Sequence, residues 1–313
     1  MNIGFLMDPL SKINIKKDTT FAMLLASQER GFQNKIIFPE DVWLRDGIAW
    51  GHMQSVIVFD DPNHYYELGP IEEQPLVDLD VLLMRKDPPV NMQYMYLTYL
   101  LEQAESQGLL VLNKPASLRD ANEKLFTAWF PHCCPKTLLT SRSDLIIDFV
   151  ESVEEAVIKP LDNMGGQSVF RLSVEDPNHH VIIETVTGRG TQKVMVQQFI
   201  PEIIHGDKRI LMIDGEPVPY ALARVPALDD FRGNLASGAE GVGRELTDRD
   251  RWICEQVGPV LKEKGLLFVG LDVIGDYLTE INVTSPTCAR ELNALYGLDI
   301  AGDFLDVVEG LLM

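Results

Sequence analysis

The sequence has few cysteines and few positive charges, and each shortage excludes a class of protein. Its 313 residues include four cysteines, with no Cys-x-x-Cys spacing of the kind that disulfide frameworks and zinc sites show. Lys and Arg total 27 against 47 Asp and Glu, a net charge of −20, so neither nucleic acid nor an anionic membrane is expected as a partner. No apolar run reaches the roughly 18 residues that a membrane span needs.

Two nucleotide-binding signatures and a targeting signal are also missing. Neither Gly-x-x-x-x-Gly-Lys-Ser/Thr nor Gly-x-Gly-x-x-Gly occurs, which argues against P-loop and Rossmann-type folds. Residues 1–8 lack the basic flank and the length of a secretory signal. Together with the unpaired cysteine spacing, this predicts a cytoplasmic protein with reduced thiols.

The first third of the chain has the pattern of an α/β domain. With 46% hydrophobic and 24% charged residues, the chain can form packed cores, and its length predicts about two domains. Strand-like and helix-like segments alternate, which is typical of a parallel sheet, and Asp46-Gly47 indicates a hairpin. The segments cover residues 3–7, 19–30, 35–38, 81–84, 92–107 and 109–112. Ligands of such sheets bind where the strands end, here near residues 7–9, 85–87 and 113–115.

Beyond residue 120 the sequence becomes rich in strand patterns. Asp120-x-x-Glu123 resembles a capping box and predicts a helix that runs to residue 130. Many of the strand-like segments that follow are neighbours joined by Gly or Asp-Gly, so we expect an α+β region with largely antiparallel sheets. These segments cover residues 156–159, 168–172, 194–199, 209–214, 217–224, 267–274 and 278–283.

A strand pair near the C-terminus carries oxygen side chains suited to a metal ion. Glu280 and Asn282 are two residues apart and therefore share one face of a strand. Asp272 faces Glu280 if the strands are joined by a three-residue loop, 275–277, whereas a two-residue turn would place it opposite Thr279. Two carboxylates and an amide oxygen suit Mg²⁺. An ordinary exposed strand face is the alternative.

Positive charge is concentrated in a few places along this acidic chain. Lys159 lies in an apolar strand, where a lysine is costly unless it meets an anion, and the Gly165-Gly166 pair that follows could approach phosphate oxygens. A plain turn is the alternative for the two glycines. Arg232 lies in a polar stretch, residues 226–244, that is too long for a passive connection. It is either a functional lid or a disordered loop.

These segments resemble one family. The lysines, the Gly-rich loop and the Asp272/Glu280-x-Asn282 set look like the ATP-grasp fold. Longer motifs are similar to those of the bacterial glutathione synthetase family, from residue 3 to about 310, and they cover residues 7–9, 14–18, 85–89, 113–115, 118–120, 232–236 and 280–287. The resemblance implies an N-terminal parallel α/β domain over residues 1–120, followed by two ATP-grasp lobes with largely antiparallel sheets, 121–200 and 201–313.

The resemblance also implies an activity and a set of residue roles. The activity is ligation of γ-glutamylcysteine to glycine, with ATP as co-substrate and Mg²⁺ or Mn²⁺, by a cytoplasmic homo-oligomer, a tetramer. The nucleotide would contact Lys124, Lys159, Met164, Gly165, Gly166, Gln197, Gln198, Phe199, Ile200 and Asp207. Arg209, Arg224 and Arg232 would be catalytic, Asp18, Arg85, Ser285 and Thr287 would bind substrates, and Asp272, Glu280 and Asn282 would hold the metal ion.

Two residues depart from the family pattern, and two other functions are compatible with the residues. Asn163 stands where the phosphate loop usually has glycine, and Ala239 stands where a second glycine of the lid is expected. Another ATP-grasp carboxylate–amine ligase would share the metal-binding residues without needing Arg85. A non-catalytic nucleotide-binding protein of the same fold is the second alternative.

Overall fold

The N-terminal part is a seven-stranded sheet covered by helices. The structure, a computed structural model, describes residues 1–227, 233 and 239–313. The strands are β1 (Asn2–Met7), β2 (Gln33–Ile37), β3 (Val42–Arg45), β4 (Ile48–Val58), β5 (Tyr66–Pro75), β6 (Val81–Arg85) and β7 (Leu110–Leu112), and the helices are α1 (Thr19–Glu29) and α2 (Met92–Ser106). The strand order is β3-β4-β2-β1-β6-β7, with β5 beside β4. The predicted parallel sheet is confirmed for β2, β1, β6 and β7, and the Asp46-Gly47 turn joins β3 to β4.

A four-stranded antiparallel sheet follows, in the order β10-β9-β11-β8. The elements of this region are α3 (Pro115–Asp120), β8 (Thr137–Thr140), α4 (Ser143–Val153), β9 (Glu155–Pro160), β10 (Phe170–Ser173), α5 (His179–Val186) and β11 (Val194–Gln198). The predicted helix from 120 to 130 is wrong: α3 ends at Asp120 and a short 3₁₀ helix covers Leu125–Trp129. Asp120 pairs with Lys264, and Asn122 accepts from Leu125 N instead, so Asp120 caps nothing.

The C-terminal part is a five-stranded antiparallel sheet, in the order β14-β13-β12-β15-β16. Its elements are β12 (Asp207–Ile213), β13 (Glu216–Val225), β14 (Glu240–Glu245), α6 (Asp248–Glu263), β15 (Phe268–Ile274), β16 (Tyr277–Asn282), α7 (Ala289–Tyr296) and α8 (Ile300–Leu312). The predicted antiparallel sheets are confirmed. The stretch 226–244 is not structureless throughout, because β14 begins at Glu240 and pairs with β13. Arg232 lies outside the described residues.

The buried apolar side chains form three clusters, and two of them are shared by the first and last sheets. Phe5 of β1 belongs with Phe268 and Phe304, whereas its neighbour Leu6 belongs with Leu271 on the other face. We call these two sheets with α1–α3 and α6–α8 the shared body. The third cluster contains only residues of β8–β11, α4 and α5, which we call the small lobe. Across the described ranges, no helix is both long and apolar enough to cross a membrane.

Candidate active site

A cleft of about 320 Å³ opens between the small lobe and the C-terminal sheet. Most of the site residues predicted from the sequence line it together: Lys124, Lys159, Met164, Gly165, Gly166, Gln197, Gln198, Phe199, Ile200, Asp207, Arg209, Arg224, Asp272, Glu280, Asn282, Ser285 and Thr287. Asp18 and Arg85 are not among the lining residues. Segments far apart in sequence therefore meet in one place, as the family resemblance implies.

The β15–β16 hairpin places Asp272 opposite Glu280, but not by the predicted route. The connection is a two-residue turn, with Ile274 opposite Tyr277, so the three-residue loop is wrong. The register then shifts by one residue at Thr279, a β-bulge, and beyond it Asp272 faces Glu280 while Asn282 lies opposite Gly270. The extra residue of a bulge changes which side chains share a face. The bulge therefore places Asp272 opposite Glu280, although a two-residue turn in a regular hairpin would place it opposite Thr279.

At the bulge, the hydroxyl and the carbonyl of Thr279 both make hydrogen bonds within the site. The Thr279 hydroxyl donates to the carbonyl of Asp272 at 3.1 Å. The Thr279 carbonyl accepts from Lys159 Nζ at 3.2 Å. Both side chains are buried, and each polar atom has a partner, as a buried site requires. The bulge thus connects a strand of the C-terminal sheet to the lysine of the small lobe.

Asp272 is held between two arginines. Its carboxylate meets Arg209 at 2.5 and 3.0 Å and Arg224 at 2.9 Å. Burial alone would raise the pKa of Asp272, but the two guanidinium groups hold that pKa well below its usual range. The side chain is therefore ionised at neutral pH.

Asp207 shares Arg224 with Asp272 but behaves differently. Burial raises the pKa of Asp207 to about 6, although the ion pair with Arg224 opposes that rise. Among the described residues, nothing hydrogen-bonds its buried Oδ1 atom. Gly233 packs on this pair: a Cβ atom there would come within 2.6 Å of Asp207 Cβ and 3.0 Å of the Arg224 carbonyl. Only glycine permits that approach.

Two lysines face the carboxylate of Glu280. Lys124 Nζ and Lys159 Nζ each lie 3.8 Å from Glu280 Oε1, and Lys124 also donates to the carbonyl of Asn163 at 2.6 Å. Burial lowers the pKa of Lys159, and the negative charge of Glu280 counteracts part of that effect. With Arg209 and Arg224, these lysines place four cations along the cleft, beside five carboxylates, and the cations are suited to a polyphosphate.

The loop at residues 163–166 accommodates Asn163, which stands where the family pattern has glycine, without backbone strain. Gly165 and Gly166 adopt φ values of +64° and +75°, where glycine is favoured. Asn163 is not among the residues with positive φ, so its side chain requires no unusual backbone. Ala239 directly precedes β14 and follows residues 234–238, which lie outside the described residues.

The predicted metal ligands have the chemistry of a divalent-cation site. Asn282 donates its amide N–H to the Gly270 carbonyl at 3.2 Å, which leaves its side-chain oxygen as an acceptor. Asp272 uses three of the roughly four acceptor positions of a carboxylate on the two arginines. Glu280 is partly exposed to the cleft. The donor set, all oxygen, fits Mg²⁺ or Mn²⁺.

The two substrate residues predicted in the N-terminal part, Asp18 and Arg85, are not among the residues that line the cleft. Arg85, buried at the end of β6, donates to the carbonyl of Pro286 at 3.0 Å and to the hydroxyl of Thr20. Asp18 accepts from Phe21 N at 2.6 Å and caps α1. Arg85 therefore braces the 285–287 turn. Direct contact of either side chain with a substrate stays a prediction.

Sequence reasoning missed two residues that organise the site. Asn113, which directly follows β7, bonds four backbone groups at the ends of β15 and β16, those of Leu267, Phe268 and Val283. Glu123, interpreted above only as part of a capping box, accepts three hydrogen bonds from residues 283 and 284. Asn113 lies within the 113–115 motif and Glu123 next to Lys124, but their roles are not readable from the sequence, because the partners are more than 150 residues away.

Comparisons with known proteins agree with this geometry. Models of the prokaryotic glutathione synthetase N-terminal domain and ATP-grasp domain match residues 1–119 and 123–297. The glutathione synthetases of Coxiella burnetii and Pseudomonas putida are 62% and 55% identical over 309 residues, 99% of this chain and 96% and 98% of those proteins. The crystal structure of the D-cycloserine synthetase DcsG has a TM-score of 0.68 at 16% identity, with full coverage of both chains. At that identity, the likeness shows the fold alone.

Proposed function

Because the chain belongs to the prokaryotic glutathione synthetase family, we propose that it joins γ-glutamylcysteine to glycine while ATP is converted to ADP and phosphate. It is an ATP-dependent carboxylate–amine ligase of the ATP-grasp fold, and the resemblance found in the sequence is confirmed. The observation that carries the substrate assignment is the identity to named glutathione synthetases over nearly the whole chain. The buried lysines and arginines of the cleft support it.

The proposed reaction needs positioning and charge neutralisation more than a nucleophilic side chain. A carboxylate is a poor acceptor for an amine, so ATP first converts the cysteinyl carboxylate of γ-glutamylcysteine to an acyl phosphate. The amine of glycine then attacks, an amide bond forms, and phosphate leaves. Groups that hold the phosphates and the developing negative charge in place lower the barriers to both steps.

The residues of the cleft supply these functions in our proposal. Lys124 and Lys159, with the loop at Gly165 and Gly166, contact the nucleotide phosphates; the hinge 197–200 contacts the adenine, and Asp207 the ribose. Arg209 and Arg224 stabilise charge on the reacting groups, and Ser285 and Thr287 contact the substrates. Arg232 would add a further cation from outside the described residues.

As an ATP-grasp ligase, the enzyme uses ATP and a divalent metal ion. We propose Mg²⁺ or Mn²⁺, held by Asp272, Glu280 and Asn282. When bound, the ion neutralises phosphate charge. We also propose that the protein is a homotetramer and that it lies in the cytoplasm. Light scattering of the purified protein tests the oligomeric state, and cell fractionation tests the location.

Phosphate release by the purified protein tests the function. Release should require both γ-glutamylcysteine and glycine in addition to ATP and Mg²⁺. Other dipeptide and amine pairs, including D-alanine with D-alanine, should release much less. Equal release with such a pair would favour another carboxylate–amine ligase, and no release at all would refute the activity.

Glu280→Ala tests the metal assignment. We expect the fold to be retained, because Glu280 is partly exposed at the cleft, and turnover to fall below detection. Glu245→Ala, which removes an exposed glutamate of β14 on the same sheet, is the matched control and should retain full activity. Full activity in Glu280→Ala would remove this residue from the metal site.

A further inference from the structure

Two segments outside the helices and strands contribute several residues to the cleft, and the hydrogen bonds of a β-sheet do not join the two segments. The first, residues 121–124, leads from α3 to the 3₁₀ helix and ends at Lys124. The second, residues 283–288, follows Asn282 and contains Ser285 and Thr287. The phosphate-facing lysine and the substrate turn therefore depend on side-chain contacts for their relative placement.

Glu123 provides these contacts. One oxygen of its carboxylate, Oε1, accepts from Val283 N at 2.9 Å, from Thr284 N at 3.1 Å and from Thr284 Oγ1 at 2.9 Å. Its own carbonyl accepts from Ile281 N at 2.8 Å. A single residue thus binds the second segment at three points and the end of β16 at a fourth.

The bond to Ile281 lies on the open side of an edge strand. β16 is the last strand of its sheet, and β15 pairs with its other side. Glu280 and Asn282 flank Ile281, so the Glu123 carbonyl fixes the strand between the two predicted metal ligands. The Leu278 N–H similarly donates to the carbonyl of Cys133 at 2.8 Å. An unpaired edge would otherwise be free to shift.

The contacts use the charge of the carboxylate and not only its shape. Three donors on one oxygen are charge-assisted hydrogen bonds, roughly twice as strong as bonds to a neutral acceptor. Burial raises the pKa of Glu123, and the bonds from Thr284 oppose that rise. A neutral side chain of the same size could keep the positions of the donors but would bind them less firmly.

We propose that Glu123 is a positioning residue for phosphoryl transfer: its carboxylate holds residues 283–284, and hence Asn282 and the 285–287 turn, at a set distance from the adjacent Lys124. The inference rests on the proposed function and adds a residue to it. In this arrangement the nucleotide phosphates and the acceptor carboxylate are aligned by one side chain that acts through its neighbours. Loss of alignment lowers the rate of the bound complex more than it weakens binding.

Glu123→Gln is the test. We expect kcat for phosphate release to fall at least about tenfold, while KM for ATP changes less than about threefold and the melting temperature changes little. Hydrogen exchange of the 283–284 amides should become faster. Glu263→Gln, an exposed glutamate at the end of α6, is the matched control and should leave all four quantities unchanged.

A second variant separates positioning from general stability. Thr284→Ser keeps all three donors to Glu123 and should retain kcat, whereas Thr284→Val removes one donor and should lower it. Combined with Glu123→Gln, Thr284→Val should add little further loss, since the two changes act on the same contact. If Glu123→Gln does not fold, the Thr284 pair still decides the matter.

Four results would overturn the proposal. The first is faster exchange at 283–284 with kcat unchanged, which would make the bonds purely structural. The second is a rise in KM that accounts for the whole loss, and the third is full additivity with Thr284→Val. If the parent protein released no phosphate, the proposed function would fail. The fourth result, unchanged 283–284 exchange in Glu123→Gln, would refute the positioning contacts whether or not the proposed function holds.

Discussion

The shared body and the small lobe are held together in different ways. In the shared body, the N-terminal and C-terminal sheets contribute side chains to the same two buried clusters, so neither sheet has a complete core without the other. The small lobe has a separate cluster built from β8–β11, α4 and α5. The stability of the shared body therefore depends on both ends of the chain, whereas the stability of the small lobe depends on its own residues.

The candidate site is divided along the same line. Lys159, the glycine loop and the 197–200 hinge come from the small lobe, whereas Arg209, Arg224 and the predicted metal ligands come from the shared body. Contacts across the line are polar: Lys159 meets Thr279 and Glu280, and Lys124 reaches Asn163. The groups that would bind phosphate are therefore the same groups that join the two regions.

The largest effect is expected where the two sheets of the shared body are joined. Asn113→Ala would leave two N–H and two C=O groups of the C-terminal sheet without their buried partner. We expect the free energy of unfolding to fall by about 4 kcal/mol, measured by urea denaturation. Asn91→Ala, which removes an exposed N-cap of α2, is the control and should cost about 1 kcal/mol. Equal losses would show that Asn113 does not join the sheets.

The parallel centre of the N-terminal sheet was predictable from the sequence because its signals are local. Continuous apolar runs such as residues 81–84, helices that end at glycine, and the Asp46-Gly47 turn each depend on a few neighbouring residues. Asn113 was not predictable, since its partners are more than 150 residues away and its sequence context is an ordinary strand end. The division into residues 1–120, 121–200 and 201–313 stays a prediction, and the shared cores link its first and third parts.

In the β15–β16 hairpin, the predicted pairing of Asp272 with Glu280 is confirmed, although the predicted three-residue loop is wrong. The chemistry of a metal site favours the alignment of Asp272 with Glu280, and in a regular hairpin only a three-residue loop produces it. The sequence does carry a sign of irregularity, because the apolar residues Leu278 and Ile281 are three apart, whereas residues on one face of a regular strand are two apart. In the structure both are fully buried, and the bulge at Thr279 makes this possible.

A pair of cavity substitutions compares the two regions directly. Leu271 of β15 and Ile158 of β9 are both fully buried, and truncation of either to alanine should remove about 3 kcal/mol of local packing energy. Leu271→Ala should speed hydrogen exchange in both sheets of the shared body, because they share a cluster. Ile158→Ala should speed exchange in β8–β11 and leave β1 unchanged. Faster exchange of β1 in Ile158→Ala would mean that the small lobe is not an independent unit.

The smallest effect concerns a polar atom inside the shared body. Tyr94 of α2 is 3% exposed, and among the described residues nothing hydrogen-bonds its hydroxyl. Burying an unpaired hydroxyl is unfavourable, so Tyr94→Phe should raise the free energy of unfolding by about 1 kcal/mol. Tyr99→Phe, on the exposed face of the same helix, should change it by less than about 0.5 kcal/mol. A loss of stability in Tyr94→Phe would instead show that the hydroxyl binds a partner, such as an ordered water. The shared body would then contain a buried hydration site among its apolar side chains.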